Sequence, residues 1–487
     1  MRKFLTILIS LALLSGVAAP ALRAQQPSAE VRQASVRLAG SILVGGRAYD
    51  YLQSLTDKFG GRLSGSTSYQ RSAEWAAAEF RAMGVSDVRL EPFTLESTWT
   101  RGAARGRILS PVERTLHVES LGWAPSTPAG GVRGEVVRVG DLTERNLRAM
   151  KDKLRGRVVM IDTRSLPRGI EAFVQLIASQ KLFQEAGAAA VLIPDRESNN
   201  AFNAFNLNWG ARLSPLPFAH VGMEDAELIA RLAEKGQPVE VEFEYQNRTG
   251  GAAQTANVVA EIRGRERPDE WIIVGAHLDS WDFGTGAQDN GSGCAMVLEA
   301  ARAIMSLGQP PRRSIRFALW GGEEQGLIGS RAYVEAHERE LKNCVAVLNT
   351  DNGAGHPKGW KVEGREDVSK AMQPISKSLL EDLSGGGLSP EASFDTDHGF
   401  FMLRGIPALD LWVDMEPYGK IHHKSSDTLD KLDRHSLAGG SAIVAVTAYA
   451  LAERAERLAP QLERKAVGEL LQKANMIEML KAFGFWK

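Results

Sequence analysis

Residues 275–293 read GAHLDSWDFGTGAQDNGSG and set His277, Asp279 and Asp289 in a glycine-rich segment between the apolar run WIIV and the amphipathic run CAMVLEAARAIM. Imidazole and carboxylate groups gathered away from water repel one another or stay unpaired unless a cation holds them. The same residue types recur downstream. Glu323 and Glu324 follow SIRFALWGG, Asp351 follows CVAVLNT, and His422 and His423 stand in KIHHKSSDT. Most of these groups come where an apolar, strand-like run stops, and His422 and His423 come just before a long helical run. In open α/β sheets, strand ends are where ligands bind.

The chemistry such a set could support is metal-assisted hydrolysis. Its nitrogen and oxygen donors suit zinc, with manganese or cobalt as alternatives, and exclude a thiolate site. The donors outnumber what one tetrahedral ion needs. Two ions sharing a carboxylate is the economical solution, and such ions typically stand about 3.5–4 Å apart. Asp279, two residues after His277, falls on the same side of an extended chain and can orient the imidazole. Glu323 and Glu324 are adjacent, so in extended backbone they point apart. One can bind metal while the other serves as general base; residue type alone does not say which. Singly, each motif has a plainer reading. HLD could be a satisfied loop, GGEEQG a solvated turn, and Ser425, Ser426 or Asp427 a helix cap. Their succession at one strand end after another is what argues for a site.

The elements that must position these groups alternate between strand and helix from about residue 256. EWIIVGAH precedes a helix over 290–306, SIRFALWGG precedes GSRAYVEAHERELK, and CVAVLNTD precedes a helix in VSKAMQPISKSLLEDL. PALDLWVD is a further strand, and DRHSLAGGSAIVAVTAYALAERAERLA a long last helix. Nearly continuous apolar strands separated by helices predict a mostly parallel sheet covered on both faces. Residues 48–95 predict two helices and a strand, the second helix closed by Gly84. Between 101 and 250 the texture is shorter and more mixed. GEVVRVG, GRVVMIDT and AFVQLIASQKLFQEAGAAAVLIPD show no catalytic clustering and predict a smaller inserted α/β domain. The expected organisation is thus 25–100 with 251–460 as one discontinuous domain, 101–250 inserted, and 461–487 a helical tail with an exposed polar side.

The chain of 487 residues has a formal net charge of −1, which offers no basic field for nucleic acid or an anionic membrane. Its N-terminus, two cations then an apolar run then small residues, predicts a signal peptide over 1–24, and hence export to a periplasmic or extracellular setting without a membrane anchor. Cys294 and Cys344 read as buried thiols rather than a bridge. No G-x-S-x-G elbow is present, which argues against a serine hydrolase.

The motifs GAHLDSW…GAQDNGSG, WGGEEQGLIGSRAY, LNTDNGAG and HHKSSDTLD together resemble those of the M28 family of dizinc exopeptidases, and within it the carboxypeptidase Q group. The likeness covers about 256–455 and the GGRLSGS segment near 60, and the inserted block is similar to a protease-associated domain. The resemblance implies that His277 and Asp351 hold one zinc, Glu324 and His423 the other, and that Asp289 bridges them. Glu323 is then the general base and Asp279 the residue orienting His277. His423 is preferred to His422 because it stands four residues before Asp427, as the family's ligand does. The substrate implied is a short peptide, read as by a carboxypeptidase or dipeptidase, with an aminopeptidase as the alternative; similar proteins include homodimers. A glutaminyl-cyclase-like enzyme and a noncatalytic binding protein are the competing classes on this scaffold. For the substrate's ends the candidate cations are Arg404, Lys420 and Lys424 and the candidate acids Asp397 and Glu416. FDTDHGFFMLRGIP, with Asp397 and His398, is a candidate pocket wall.

Overall fold

Trp271, Ile272, Ile273 and Val274 are all buried, because the strand that carries them, Arg267–His277, is covered on both faces. Side chains alternate along a strand. Ile272, Val274 and Ala276 accordingly pack with the helices Ser292–Met305 and Arg434–Glu453, while Trp271 and Ile273 pack with Trp320, Phe401, Leu471 and Leu480. The computed structural model describes residues 26–167 and 170–486, so the signal peptide expected over 1–24 lies outside the described residues.

This strand sits inside an eight-stranded sheet. Its order is Asp87–Leu95, Ala253–Ile262, Arg313–Trp320, Arg267–His277, Cys344–Asn349, Ala408–Val413, Pro357–Lys361, Gly387–Ser389. The four central strands, from Arg313–Trp320 to Ala408–Val413, run parallel. Antiparallel pairings join Asp87–Leu95 to Ala253–Ile262, that strand to Arg313–Trp320, and Pro357–Lys361 to Ala408–Val413. The parallel centre matters for function because it ends all its strands on one edge.

The helix Arg434–Glu453 is long and apolar enough to cross a bilayer, yet it is mostly buried and belongs to the core. Asp433 caps it, accepting the Ser436 N–H at 2.7 Å. Asp427, one of the caps conceived from sequence, lies too early and has another task. Ser66 caps Thr67–Ala82 by accepting the Tyr69 N–H at 3.1 Å, and Gly84 follows that helix with φ +90°. The tail forms the short helices Arg464–Lys473 and Ile477–Ala482, whose Val467, Leu471 and Leu480 cover the sheet.

Residues between Thr100 and Arg248 build a second eight-stranded sheet with its own apolar cluster. Its parallel run is Val132–Val139, Val158–Ile161, Ala190–Pro194, Phe218–Val221. The chain enters and leaves this unit through Thr98–Thr100 and Arg248–Gly250, which pair with each other. Cys294 and Cys344 are both buried and free, and burial pushes the Cys294 thiol up to about 12.

Candidate metal and catalytic centre

Parallel pairing brings the ends of Arg267–His277 and Cys344–Asn349 side by side, so His277 and Asp351 meet. His277 Nε2 lies 2.9 Å from Asp351 Oδ1 and 3.2 Å from Asp289 Oδ1. The second carboxylate oxygen of Asp289 lies 3.2 Å from His423 Nε2, and that nitrogen is 3.1 Å from Glu324 Oε2. Asp289 therefore stands between two groups of donors. The ligating atoms of His277, Asp289 and Asp351 fall within 4.8 Å of one another, as do those of Asp289, His422 and His423 and those of His277, Glu323 and Glu324.

Glu323 and Glu324 diverge as their adjacency predicts, although the backbone there is a turn rather than a strand. The Glu323 carbonyl accepts the N–H groups of Gly326 and Leu327, at 2.7 and 2.9 Å. Glu323 Oε2 then stands 4.0 Å from His277 Nε2, while Glu324 reaches His423. Asp279 supports His277 with its backbone: the carbonyl lies 2.9 Å from Nδ1, and the carboxylate 3.7 Å from the same nitrogen. That carboxylate also accepts the Glu323 N–H at 3.3 Å. His422 stacks on His423 with ring centres 3.7 Å apart and approaches Asp289 at 3.4 Å, without reaching Glu324.

Two buried residues outside the sequence-derived set hold the loop. Asp427 accepts the N–H groups of Gln288 and Asp289, at 2.7 and 3.1 Å. Arg62, fully buried in GGRLSGS, donates to the carbonyls of Gly60, Leu278, Thr285 and Gly286 at 2.7–3.0 Å. Sequence gave a signal for the segment around Arg62 but none for its role, which depends on a carbonyl cluster formed only in three dimensions.

Charge in the centre is far from balanced. Burial pushes Glu323 well up, with Asp351 and Glu324 adding to it against His277. Glu324 is pushed up to about 7 by burial and by Asp289. Burial opposes a charged His423, but Glu324 and Asp289 hold its pKa at about 10. Asp289 is held well below its ordinary range by His277 and His423 despite burial. Asp289 Oδ2, Glu324 Oε1 and Asp279 Oδ2 are buried with no aligned hydrogen-bond donor. Orphaned carboxylate oxygens beside imidazole nitrogens are a donor set that fits divalent metal.

A cleft of about 470 Å³ opens over these groups. Its walls include Phe205 and Trp209 from the second sheet unit, Phe394, and Met479 and Phe483 from the tail. Trp209 and Phe483 stack with centres 4.6 Å apart at 8°. Asp395 also lines it, is exposed, and has no ion pair among the described residues; no Lys or Arg lines it. The end-binding candidates read from sequence lie elsewhere. Arg404 pairs with Glu338, Lys420 with Glu416, and Lys424 with Glu197. Asp397 and His398 are buried behind the wall, His398 beside Glu363 at 3.4 Å.

Residues 257–448 match the model of peptidase family M28. Carboxypeptidase Q of Mus musculus is 30% identical over 435 residues, 88% of this chain and 90% of that protein. The probable lipoprotein aminopeptidase LpqL of Mycobacterium tuberculosis is 29% identical, over 80% and 81% of the two chains. Among solved structures, a peptidase M28 precursor from Shewanella amazonensis superposes with a TM-score of 0.77 at 30% identity, over 89% of this chain and 99% of that one.

Proposed function

The chain belongs to peptidase family M28 and is a metallo-exopeptidase, and from that premise we propose that it is a two-zinc enzyme reading the free amino end of short peptides. The observation that carries the two-ion reading is Asp289, with one carboxylate oxygen 3.2 Å from His277 Nε2 and the other 3.2 Å from His423 Nε2. His277 and Asp351 would hold one ion, Glu324 and His423 the other, and Asp289 would serve both. Bound zinc supplies Lewis acidity toward a scissile carbonyl and lowers the pKa of water. Glu323, only partly covered and facing the cleft, takes the proton of the attacking water and delivers it to the leaving amine. Asp279 keeps His277 in one tautomer and orientation through its carbonyl.

The amino-end reading rests on Asp395 and on the absence of Lys and Arg among the described residues lining the cleft. A substrate ammonium finds a carboxylate partner there, whereas a terminal carboxylate meets neutral donors such as Asn206, Asn352 and Tyr418 and no Lys or Arg among the described residues. The aromatic walls favour a large apolar side chain. Residues 101–250 act in this reading as a protease-associated domain that closes one side of the cleft, and the N-terminal segment directs the chain out of the cytoplasm.

The test compares free, N-acetylated and C-amidated dipeptides with and without a chelator, in wild type and Glu323→Gln. Cleavage should be chelator-sensitive and fall about 10²–10⁴-fold in the variant while both ions are retained. Acetylation should abolish turnover, amidation should not, and Asp395→Asn should raise KM. Turnover of acetylated but not amidated peptides would reverse the end assignment. A wild type that holds two ions and cleaves nothing would sink the peptidase mechanism.

A further inference from the structure

The second sheet unit does more than wall the cleft, because it grips the backbone of two residues at the centre, and both belong to the same side of it. Asn206 Nδ2 donates to the Glu324 carbonyl at 3.1 Å. The Ala204 N–H donates to the His423 carbonyl at 2.8 Å. Around these two contacts lie three more. The Gly210 N–H donates to the Gln325 carbonyl at 2.7 Å. Asn203 and Lys424 form an isolated antiparallel bridge, and Lys424 Nζ meets Glu197 Oε2 at 2.9 Å with its side chain only 13% exposed. The Trp209 side chain packs where Gly326, at φ +111°, has none, and a Cβ there would come within 3.1 Å of its Cβ and 3.2 Å of its ring.

The gripping segment is itself anchored. Asp195, at the end of the strand Ala190–Pro194, accepts the N–H groups of Arg196, Glu197 and Asn203 at 2.7, 3.1 and 2.9 Å. His423 needs such a hold, since its φ of +61° is a conformation that residues other than glycine seldom keep unaided. Among the described residues, no hydrogen bond links this segment to His277, Asp279 or Asp351. Their supports come from the larger sheet and its loops.

We propose that residues 197–210 are a positioning element for one of two metal subsites, the one formed by Glu324 and His423, and that they set its affinity independently of the His277–Asp351 subsite. The proposal rests on the two-ion reading above. It gives the inserted unit a second task, as a support for ligands in the larger domain. Asn206 and Glu197 act through Glu324 and His423, and hydrogen-bonded supports of this kind typically change metal affinity by about 10–100-fold when removed.

The experiment is zinc content of the full-length protein across graded free-zinc buffers, measured by mass spectrometry on wild type, Glu324→Gln, Asn206→Ala, Asn206→Gln and Glu197→Ala. Wild type should fill in two steps and Glu324→Gln should lose one. Asn206→Ala should shift only that step, by about 10–100-fold; Asn206→Gln, which keeps the amide donor, should recover part of the shift. Glu197→Ala should move the same step by several-fold, and it decides the matter if Asn206→Ala fails to fold. A wild type that takes up a single ion overturns the two-ion reading itself. Two wild-type steps in both Asn206→Ala and Glu197→Ala, with one step lost in Glu324→Gln, overturn the positioning role alone. So does an equal weakening of both steps, which a general loosening of the fold would produce.

Discussion

Asp427 holds Asp289 by the backbone: its Oδ2 accepts the Asp289 N–H at 3.1 Å while Oδ1 accepts that of Gln288 at 2.7 Å. Asp289, the residue proposed to serve both ions, is thus fixed by a carboxylate 138 positions later in the chain. Asp427→Ala removes both acceptors and leaves two buried N–H groups unpaired. Zinc affinity and kcat should fall about 10–100-fold, with KM nearly unchanged. Titration with zinc beside steady-state kinetics measures both, and wild-type zinc affinity in this variant would remove Asp427 from the support of the site.

Phe483 reaches the cleft from the C-terminal tail and stacks on Trp209 of the inserted unit. Two segments far apart in sequence therefore form one aromatic wall. Phe483→Ala should lower kcat/KM for dipeptides beginning with Leu or Phe by about 3–10-fold, the equivalent of the 0.5–1.5 kcal/mol such contacts carry. Dipeptides beginning with Ala should be affected much less. Equal losses for both would mean that the wall serves folding rather than selectivity.

His398 predicts a pH dependence of stability apart from the metal centre. It is buried 3.4 Å from Glu363 Oε2, and the charges of Asp410 and Asp395 add to the field that favours its protonation. Burial opposes its charge, but Glu363 and Asp410 raise its pKa from 6.5 to about 9. The folded state then binds the extra proton between those values. The stabilisation is fully present below pH 6.5 and is lost as pH rises through about 9. Asp410, pushed up to about 7 by burial, acts in the same sense at lower pH. With zinc saturating, stability should decline by on the order of 3 kcal/mol from pH 6.5 to above 9. His398→Gln should flatten that decline. Urea unfolding at a series of pH values measures it, and an equally steep decline in the variant would exclude His398 as its source.

The gathering of imidazoles and carboxylates was legible in sequence because most of these groups follow a run whose pattern betrays a strand, with His422 and His423 just ahead of a helical one. WIIVGAH, FALWGG and VAVLNTD carry strand and ligand together, and parallel pairing does the rest. What sequence could not supply were contacts between segments with no common pattern. Asp427 looked like a helix cap, and only the fold shows that Asp433 takes that place. Lys424 looked like a free cation near the site, yet Glu197, from the segment after the strand Ala190–Pro194 of the second sheet, neutralises it. Asn206 and Phe483 had no motif to distinguish them, and within the flagged FDTDHGFFMLRGIP segment it is Asp395 rather than Asp397 that lines the cleft, since these roles depend on how insert, tail and sheet edge meet around it.

Arg62 carries the last prediction, on stability. Its guanidinium is fully buried and spends its donors on four carbonyls, three of them in the loop 278–286. The acids Asp427, Asp279 and Asp289 are near enough to favour its charge against burial. Arg62→Met keeps the length of the side chain but leaves those carbonyls unpaired and removes a buried guanidinium from beside the nearby carboxylates. The expected loss is roughly 3–5 kcal/mol of unfolding free energy, the range for breaking a buried charge arrangement from one side. Saturating zinc should restore part of it, because ions bound by the folded state alone stabilise it by mass action. Chemical denaturation with and without zinc tests both statements. A loss below about 1 kcal/mol would show that the loop is held mainly by Asp427 and the metal ligands, and that the guanidinium is a minor partner.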